Sequence, residues 1–147
     1  MERQSATHRF PYTAGQMFDL AADIERYPEF LPHWPRATIR RREGNVLYVL
    51  QEIDLGIRRL RFESRAVLER PDRLCVSSEA LPFRSMLVDW RFVPDGQASV
   101  ITLTIEIEML SPVMEIVAGK LIRLMMLDVL DRFQQRAALL FARDTPD

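Results

Sequence analysis

Between Ala98 and Phe141 the chain changes its hydrophobic period once, and that change limits the architectures open to it. Ile101, Leu103, Ile105, Ile107 and Met109 alternate with Thr102, Thr104, Glu106 and Glu108. A period of two is what a strand with one buried and one wetted face requires. Ser111 and Pro112 then supply an N-cap and a first helical position, and no further proline occurs before Pro146. The spacing predicts a helix from Pro112 to Phe141 or Ala142, about 45 Å long and able to lie across a whole sheet. Met114, Val117, Ala118, Leu121, Met125, Val129, Phe133, Ala137 and Leu140 form the stripe that would face the sheet. Gly119 allows either a close approach or a bend there.

The same alternation runs through the middle of the chain. Met86, Val88, Trp90 and Phe92 alternate with Leu87, Asp89, Arg91 and Val93, and Leu60, Phe62, Ala66 and Leu68 alternate with arginine and glutamate. Strands are expected near 37–43, 46–54, 57–69, 73–80, 86–94 and 98–109, with an opening strand at about 3–10. The breaks Glu43-Gly44-Asn45, Asp54-Leu55-Gly56, Arg70-Pro71-Asp72 and Pro94-Asp95-Gly96 carry turn chemistry, so consecutive strands pair as an antiparallel meander. One large concave apolar face follows.

Ahead of this meander, Met17, Phe18, Leu20, Ala21 and Ile24 recur at helical spacing, with Thr13 as N-cap and Gln16 three positions on. Pro28 is expected to stop that helix near Arg26 or Tyr27. Tyr27, Phe30, Leu31 and Trp34 then crowd into a stretch held by Pro28, Pro32 and Pro35. Few backbone conformations are lost when such a stretch folds, which suits it to rim a cavity.

FPYTAGQMFDLAADIERYPEFLP at the front, REGNVLYVLQEIDLGIRRLRFESRAVLERP in the middle and PFRSMLVDWRF before the terminal helix occur in order. Together they resemble the coenzyme Q-binding, START-like family of the polyketide cyclase and lipid-transfer superfamily. The resemblance implies an α+β, helix-grip (START/Bet v 1-like) fold, with a curved antiparallel sheet of about seven strands around a long C-terminal helix, in one domain over 1–147. It also implies a hydrophobic ligand, ubiquinone or a related lipid, held without any required cofactor. Two positions depart from the family pattern: His33 is inserted before Trp34, and Leu81 stands where a glycine often precedes Pro-Phe.

Composition excludes several other classes. A formal net charge of −1 with 28% charged residues gives no global basic field for nucleic acid, and DNA is not an expected partner. One cysteine, Cys75, and two histidines cannot form a disulfide framework or a clustered zinc site of the usual ligands. Neither a signal-peptide core nor a run of spanning length occurs, so a cytoplasmic location is expected, peripheral at most to the inner membrane. His8 and His33 have no nucleophile or acid at useful spacing, so no catalytic residue is assigned. Arg40, Arg41 and Arg42, with Arg58, Arg59 and Arg61, read first as a solvated sheet surface and second as a ribosome-contacting patch.

The wall and rim of the expected tunnel are assigned to Phe30, Leu31, Trp34, Phe62, Phe83, Met86, Trp90, Ile105, Met114 and Met125. His33, Gln51, Arg58, Ser64 and Ser78 are the candidate polar anchors, four of them by alternation on the sheet's inner face and His33 at its mouth. The resemblance implies three candidate functions: a quinone or lipid carrier, an aromatase/cyclase in which His33 or Arg58 would approach a bound ketone, and a ribosome-associated toxin. Val113, Ile116, Leu124 and Leu127 lie beyond the core stripe of the last helix, leaving apolar surface for a subunit, a membrane or the front helix to cover.

Overall fold

The computed structural model describes residues 1–56 and 58–141, so Ile57 and Ala142, at two of the expected element ends, lie outside the described residues. Seven strands, β1 (Glu2–Phe10), β2 (Arg36–Glu43), β3 (Val46–Asp54), β4 (Arg59–Glu69), β5 (Arg73–Ser78), β6 (Phe83–Asp95) and β7 (Ala98–Met109), form one curved antiparallel sheet. Their order is β1-β7-β6-β5-β4-β3-β2: a meander from β2 to β7, with β1 added beside β7. Two helices complete the fold, α1 (Ala14–Ala22) and α2 (Pro112–Phe141).

The alternation sets the register. Trp90 pairs with Leu103, Phe92 with Ile101 and Gln51 with Phe62, so inward side chains form cross-strand rows on the concave face. Exposed partners form matching rows outside, where Thr7 and Thr102 hydroxyls meet at 3.0 Å. Three strand ends differ from expectation by two residues or more, one of them the start of β4 at Arg59. β5 stops at Ser78, whose hydroxyl turns to donate to the Glu63 carbonyl at 2.6 Å, and β6 begins three residues early at Phe83.

α1 starts as its sequence requires. The Gln16 N–H donates to Thr13 Oγ1 at 3.1 Å and the Thr13 N–H donates to Gln16 Oε1 at 2.9 Å, a reciprocal pair that satisfies two otherwise open donors. Its end is a correction: the α-helix closes at Ala22, and a 3-10 helix from Ile24 to Glu29 carries Pro28 inside it. The tighter winding turns both Ile24 and Tyr27 into the core, while the Tyr27 hydroxyl donates to the Ala21 carbonyl at the end of α1.

α2 lies over β1 and β7 and buries Met114, Ala118, Ile122, Met125, Met126, Val129, Leu130, Phe133 and Ala137. The inward stripe is rotated from expectation toward Ile122, Met126 and Leu130. Val117 and Leu121 are half-buried, and Leu140 is exposed. Gly119 marks close approach: a Cβ there would stand 2.6 Å from Glu2 Cγ. Phe133 is the centre of an aromatic cluster, with ring centroids 4.8 Å from Trp90, 5.1 Å from Phe30 and 5.7 Å from Tyr27. This cluster closes one end of the space between sheet and helix.

Candidate functional site

The first half of α2 does not seat flush on the concave face, and the side chains leave an apolar hollow of about 70 Å³. The sheet contributes Ile53 from β3, Leu60 and Phe62 from β4, Val76 from β5, Phe83, Met86, Val88 and Trp90 from β6, and Ile105 and Ile107 from β7. Helix α2 supplies Ala118, Leu121, Ile122 and Met125. Ile24, Tyr27, Trp34 and Leu55 complete the wall from the front segment and the β3–β4 turn. Half-buried Trp34, Ile53, Leu55 and Leu121 sit where the hollow approaches solvent.

Gln51 is the one wall residue with a carboxamide, and the protein itself uses that group. The Trp34 indole N–H donates to Gln51 Oε1 at 2.9 Å, Gln51 Nε2 donates to Ser64 Oγ at 2.7 Å, and the Ser64 hydroxyl donates to the Val49 carbonyl at 3.2 Å. Because an indole nitrogen can only donate, the orientation of the amide is fixed by its partner. The remaining wall is almost entirely carbon.

The only ionisable group among the described wall residues is the Tyr27 phenol. Burial raises its pKa well above the ordinary tyrosine range, so it stays neutral. Cys75 lies on the other face of β5, opposite Asp89, and burial pushes its thiol up as well. No group of three or more metal-ligating side chains occurs among the described residues.

Of the sequence-assigned wall residues, the structure brings Trp34, Phe62, Phe83, Met86, Trp90, Ile105 and Met125 to the hollow. Phe30, Leu31 and Met114 are elsewhere: Phe30 packs on Phe133 beneath the Arg136 guanidinium, while Leu31 and Met114 are ordinary core. The polar anchors divide similarly. Gln51 reaches the wall, whereas Ser64 and Ser78 are buried but turned to backbone carbonyls.

Arg58 is a correction. It is exposed, in the turn before β4, where its carbonyl accepts from the Leu55 N–H at 2.8 Å. Alternation counted back from β4 does not survive that turn. His33 is also displaced from its expected place: Nδ1 lies 3.3 Å from the Asp54 carbonyl, and the Asp54 N–H donates to the His33 carbonyl at 2.9 Å. This reciprocal pair fastens the proline-rich loop to the end of β3, leaving Trp34 rather than His33 on the hollow. Neither candidate for ketone chemistry therefore lines it.

The sequence-assigned wall left out Ile24, Tyr27, Ile53, Leu55, Leu60, Val76, Val88, Ile107, Ala118, Leu121 and Ile122. Ile53 and Ile107 continue alternations already legible in β3 and β7, and Ala118, Ile122 and Met125 share one helical edge. Those signals place a residue inward. Which inward residues border free space depends on the sheet's curvature.

Residues 10–134 match the family described as polyketide cyclase/dehydrase and lipid transport. The chain belongs to that family. Among curated relatives, the protein named ribosome association toxin RatA in Pseudomonas aeruginosa is 30% identical over 132 residues, covering 89% of this chain and 92% of the relative. Among solved structures, an 18 kDa protein of Caulobacter crescentus superposes with a TM-score of 0.77 at 26% identity, covering 97% of this chain and 99% of that one. The Zhui aromatase/cyclase of a Streptomyces species superposes with a TM-score of 0.80 at 14% identity, covering 92% and 93%, which establishes shared fold alone.

Proposed function

We propose that the protein carries a hydrophobic small molecule, a polyprenyl quinone or a lipid of similar shape, with its apolar portion between α2 and the concave sheet. The observation that carries this reading is the carbon-lined hollow under α2, whose single amide is already bonded within the protein. Affinity would come from area removed from water, at about 25 cal/mol per Å² of apolar surface. At about 70 Å³ the hollow is well below the usual size of a ligand pocket. A ligand therefore enters by parting α2 from the Trp34 loop, and the polar head stays toward the mouth. Membership of a family whose description includes lipid transport beside polyketide cyclase and dehydrase supports the same reading.

The chain has two tryptophans, Trp34 and Trp90, and both line the hollow. Titration with a short-chain ubiquinone should therefore quench most of the tryptophan emission saturably, and extraction of the purified protein should yield lipid or quinone by mass spectrometry. Absence of both signals would overturn the reading.

The name ribosome association toxin, carried by several of the curated relatives, favours ribosome association as a second function. A structural observation supports it. Exposed Arg40, Arg41 and Arg42 lie on edge strand β2, and Arg41 stacks 4.2 Å from the Tyr48 ring centroid, in a row that continues to Arg65. Salt-sensitive cosedimentation with ribosomal subunits, lost when Arg40, Arg41 and Arg42 are changed to glutamine, is the expected result. Cosedimentation unaffected by that triple change would remove the patch from the argument.

A further inference from the structure

The hollow accounts for one face of α2; the opposite face has no partner among the described residues. Val113, Ile116, Leu124 and Leu127 are 70%, 69%, 76% and 74% exposed. At 3.6 residues per turn these four share an arc of about 100° with Lys120 and Arg123, and no acidic residue falls within that arc between 113 and 127. Arg123 reaches sideways to Glu2, 3.3 Å away. The apolar surface continues at the start of the helix, where the Leu110 N–H donates to the Pro82 carbonyl at 3.2 Å and brings exposed Leu81 and Leu110 to the same end. It also leads inward: half-buried Leu121, beside Leu124 around the helix, is part of the cavity wall.

Charge decides what covers this face. Lys120 stands at the midpoint of the stripe from 113 to 127, so a two-fold pairing of the face with itself about its centre would set ammonium against ammonium. An anionic lipid surface reverses that sign. The leucines and isoleucine enter the acyl boundary while Lys120 and Arg123 extend their stems along it and place their charges among the phosphates. No described helix is long and apolar enough to cross a membrane, which fits a helix lying in the interface.

We infer that the exposed face of α2, from Val113 to Leu127 with Leu81 and Leu110 at its end, docks the protein on anionic membranes, setting the cavity wall next to the lipid from which it loads. This rests on the carrier reading, and the two are separable by experiment. Flotation of the full chain with vesicles of phosphatidylcholine plus phosphatidylglycerol should exceed flotation with phosphatidylcholine alone and weaken with salt. Ile116→Glu/Leu124→Glu should lower binding by about tenfold or more, and Lys120→Glu should remove the preference for anionic vesicles.

All three positions are exposed, so circular dichroism should report an unchanged fold, and quinone quenching in detergent should persist in the variants. Wild-type protein that quenches with quinone but does not float with anionic vesicles overturns the docking inference and leaves the carrier reading standing. Loss of quinone quenching in wild type counts against the carrier reading instead. A dimer in sedimentation equilibrium that Ile116→Glu/Leu124→Glu dissociates would assign the face to a second copy, and ribosome cosedimentation lost in the same variant would assign it to the ribosome. Either result, without flotation, overturns the inference.

Discussion

The Trp34 indole and the Gln51 side chain are joined by a 2.9 Å hydrogen bond that closes the loop side of the hollow. A loop residue and a central strand residue thus share one donor–acceptor pair, extended by Ser64 to the backbone of β3. The sole carboxamide of the wall holds the protein together at this point and fixes the Trp34 ring.

Replacing Gln51 by leucine should therefore act on stability first. The indole N–H and the Ser64 oxygen each lose a partner, and an unpaired polar group in this setting costs about 1–3 kcal/mol. Urea unfolding should register that loss. Trp34→Phe should cost a similar amount, and the double variant less than the sum, because the two changes remove one shared bond. Quinone affinity measured through tryptophan emission should change less than stability does in Gln51→Leu, where Trp34 and Trp90 are both kept. An unchanged stability with lost binding would instead make Gln51 a ligand anchor.

Ala118 offers the complementary test. It lies on α2 with its methyl group on the hollow and is itself buried. Leucine at this position fills space that a ligand would take. Filling a hollow recovers contacts, while overpacking costs about 1–3 kcal/mol, so Ala118→Leu should leave stability within about 2 kcal/mol of wild type. Quinone quenching should fall by about tenfold or more. Retained quenching would place the ligand elsewhere.

The contrast between Gln51 and Arg58 illustrates which parts of this site were legible. Both were placed inward by counting in twos, and Gln51 is inward because it sits mid-strand between Leu47, Val49 and Ile53, where pleating enforces the count. Arg58 precedes β4, and the Asp54-Leu55-Gly56 turn breaks the phase before it, with Gly56 at a φ of +87°. The β2-to-β7 meander, the cap of α1 and the start of α2 were legible for the same reason as Gln51, each resting on a local period, turn or cap, whereas the place of β1 beside β7 is a long-range pairing that no local period signals. His33 and Phe30 were not. Their positions depend on a backbone pair with Asp54 and on packing against Phe133, both set by residues far away in sequence.

Gly119 separates two meanings of a helical glycine. Its neighbour is the Glu2 side chain, 2.6 Å from where a Cβ would stand, so approach is what the residue permits. Alanine gains about 1 kcal/mol of helix propensity. It must displace a flexible, half-buried glutamate whose link to Arg123, at 3.3 Å, is worth about 0–1 kcal/mol. Gly119→Ala should consequently fall within about 1 kcal/mol of wild type, whereas Gly119→Val, stiffer and bulkier, should be destabilised in urea. A clear loss with alanine would mean that the Glu2 contact matters more than helix propensity.

Glu29 ties the 3-10 helix to the far half of α2. Arg26 Nη1 donates to it at 2.9 Å and Arg136 Nη2 at 2.6 Å, while the Arg136 guanidinium lies 5.2 Å from the Phe30 ring centroid. The Arg26 hydrogen bond, then that from Arg136, holds the Glu29 carboxyl below the ordinary glutamate range. A carboxylate whose pKa is lower folded than unfolded contributes stability at pH above the unfolded value, and that contribution is lost as pH falls through the folded value. Wild type should exceed Glu29→Gln in urea midpoint at neutral pH, because glutamine cannot supply the charge. The gap should begin to close as pH drops into the ordinary glutamate range and vanish below the folded pKa, where Glu29 is neutral like its replacement. Paired urea titrations from neutral pH down to pH about 3 would read this directly. A gap that stays constant over that interval would mean that the latch between the 3-10 helix and α2 works through shape and packing rather than charge.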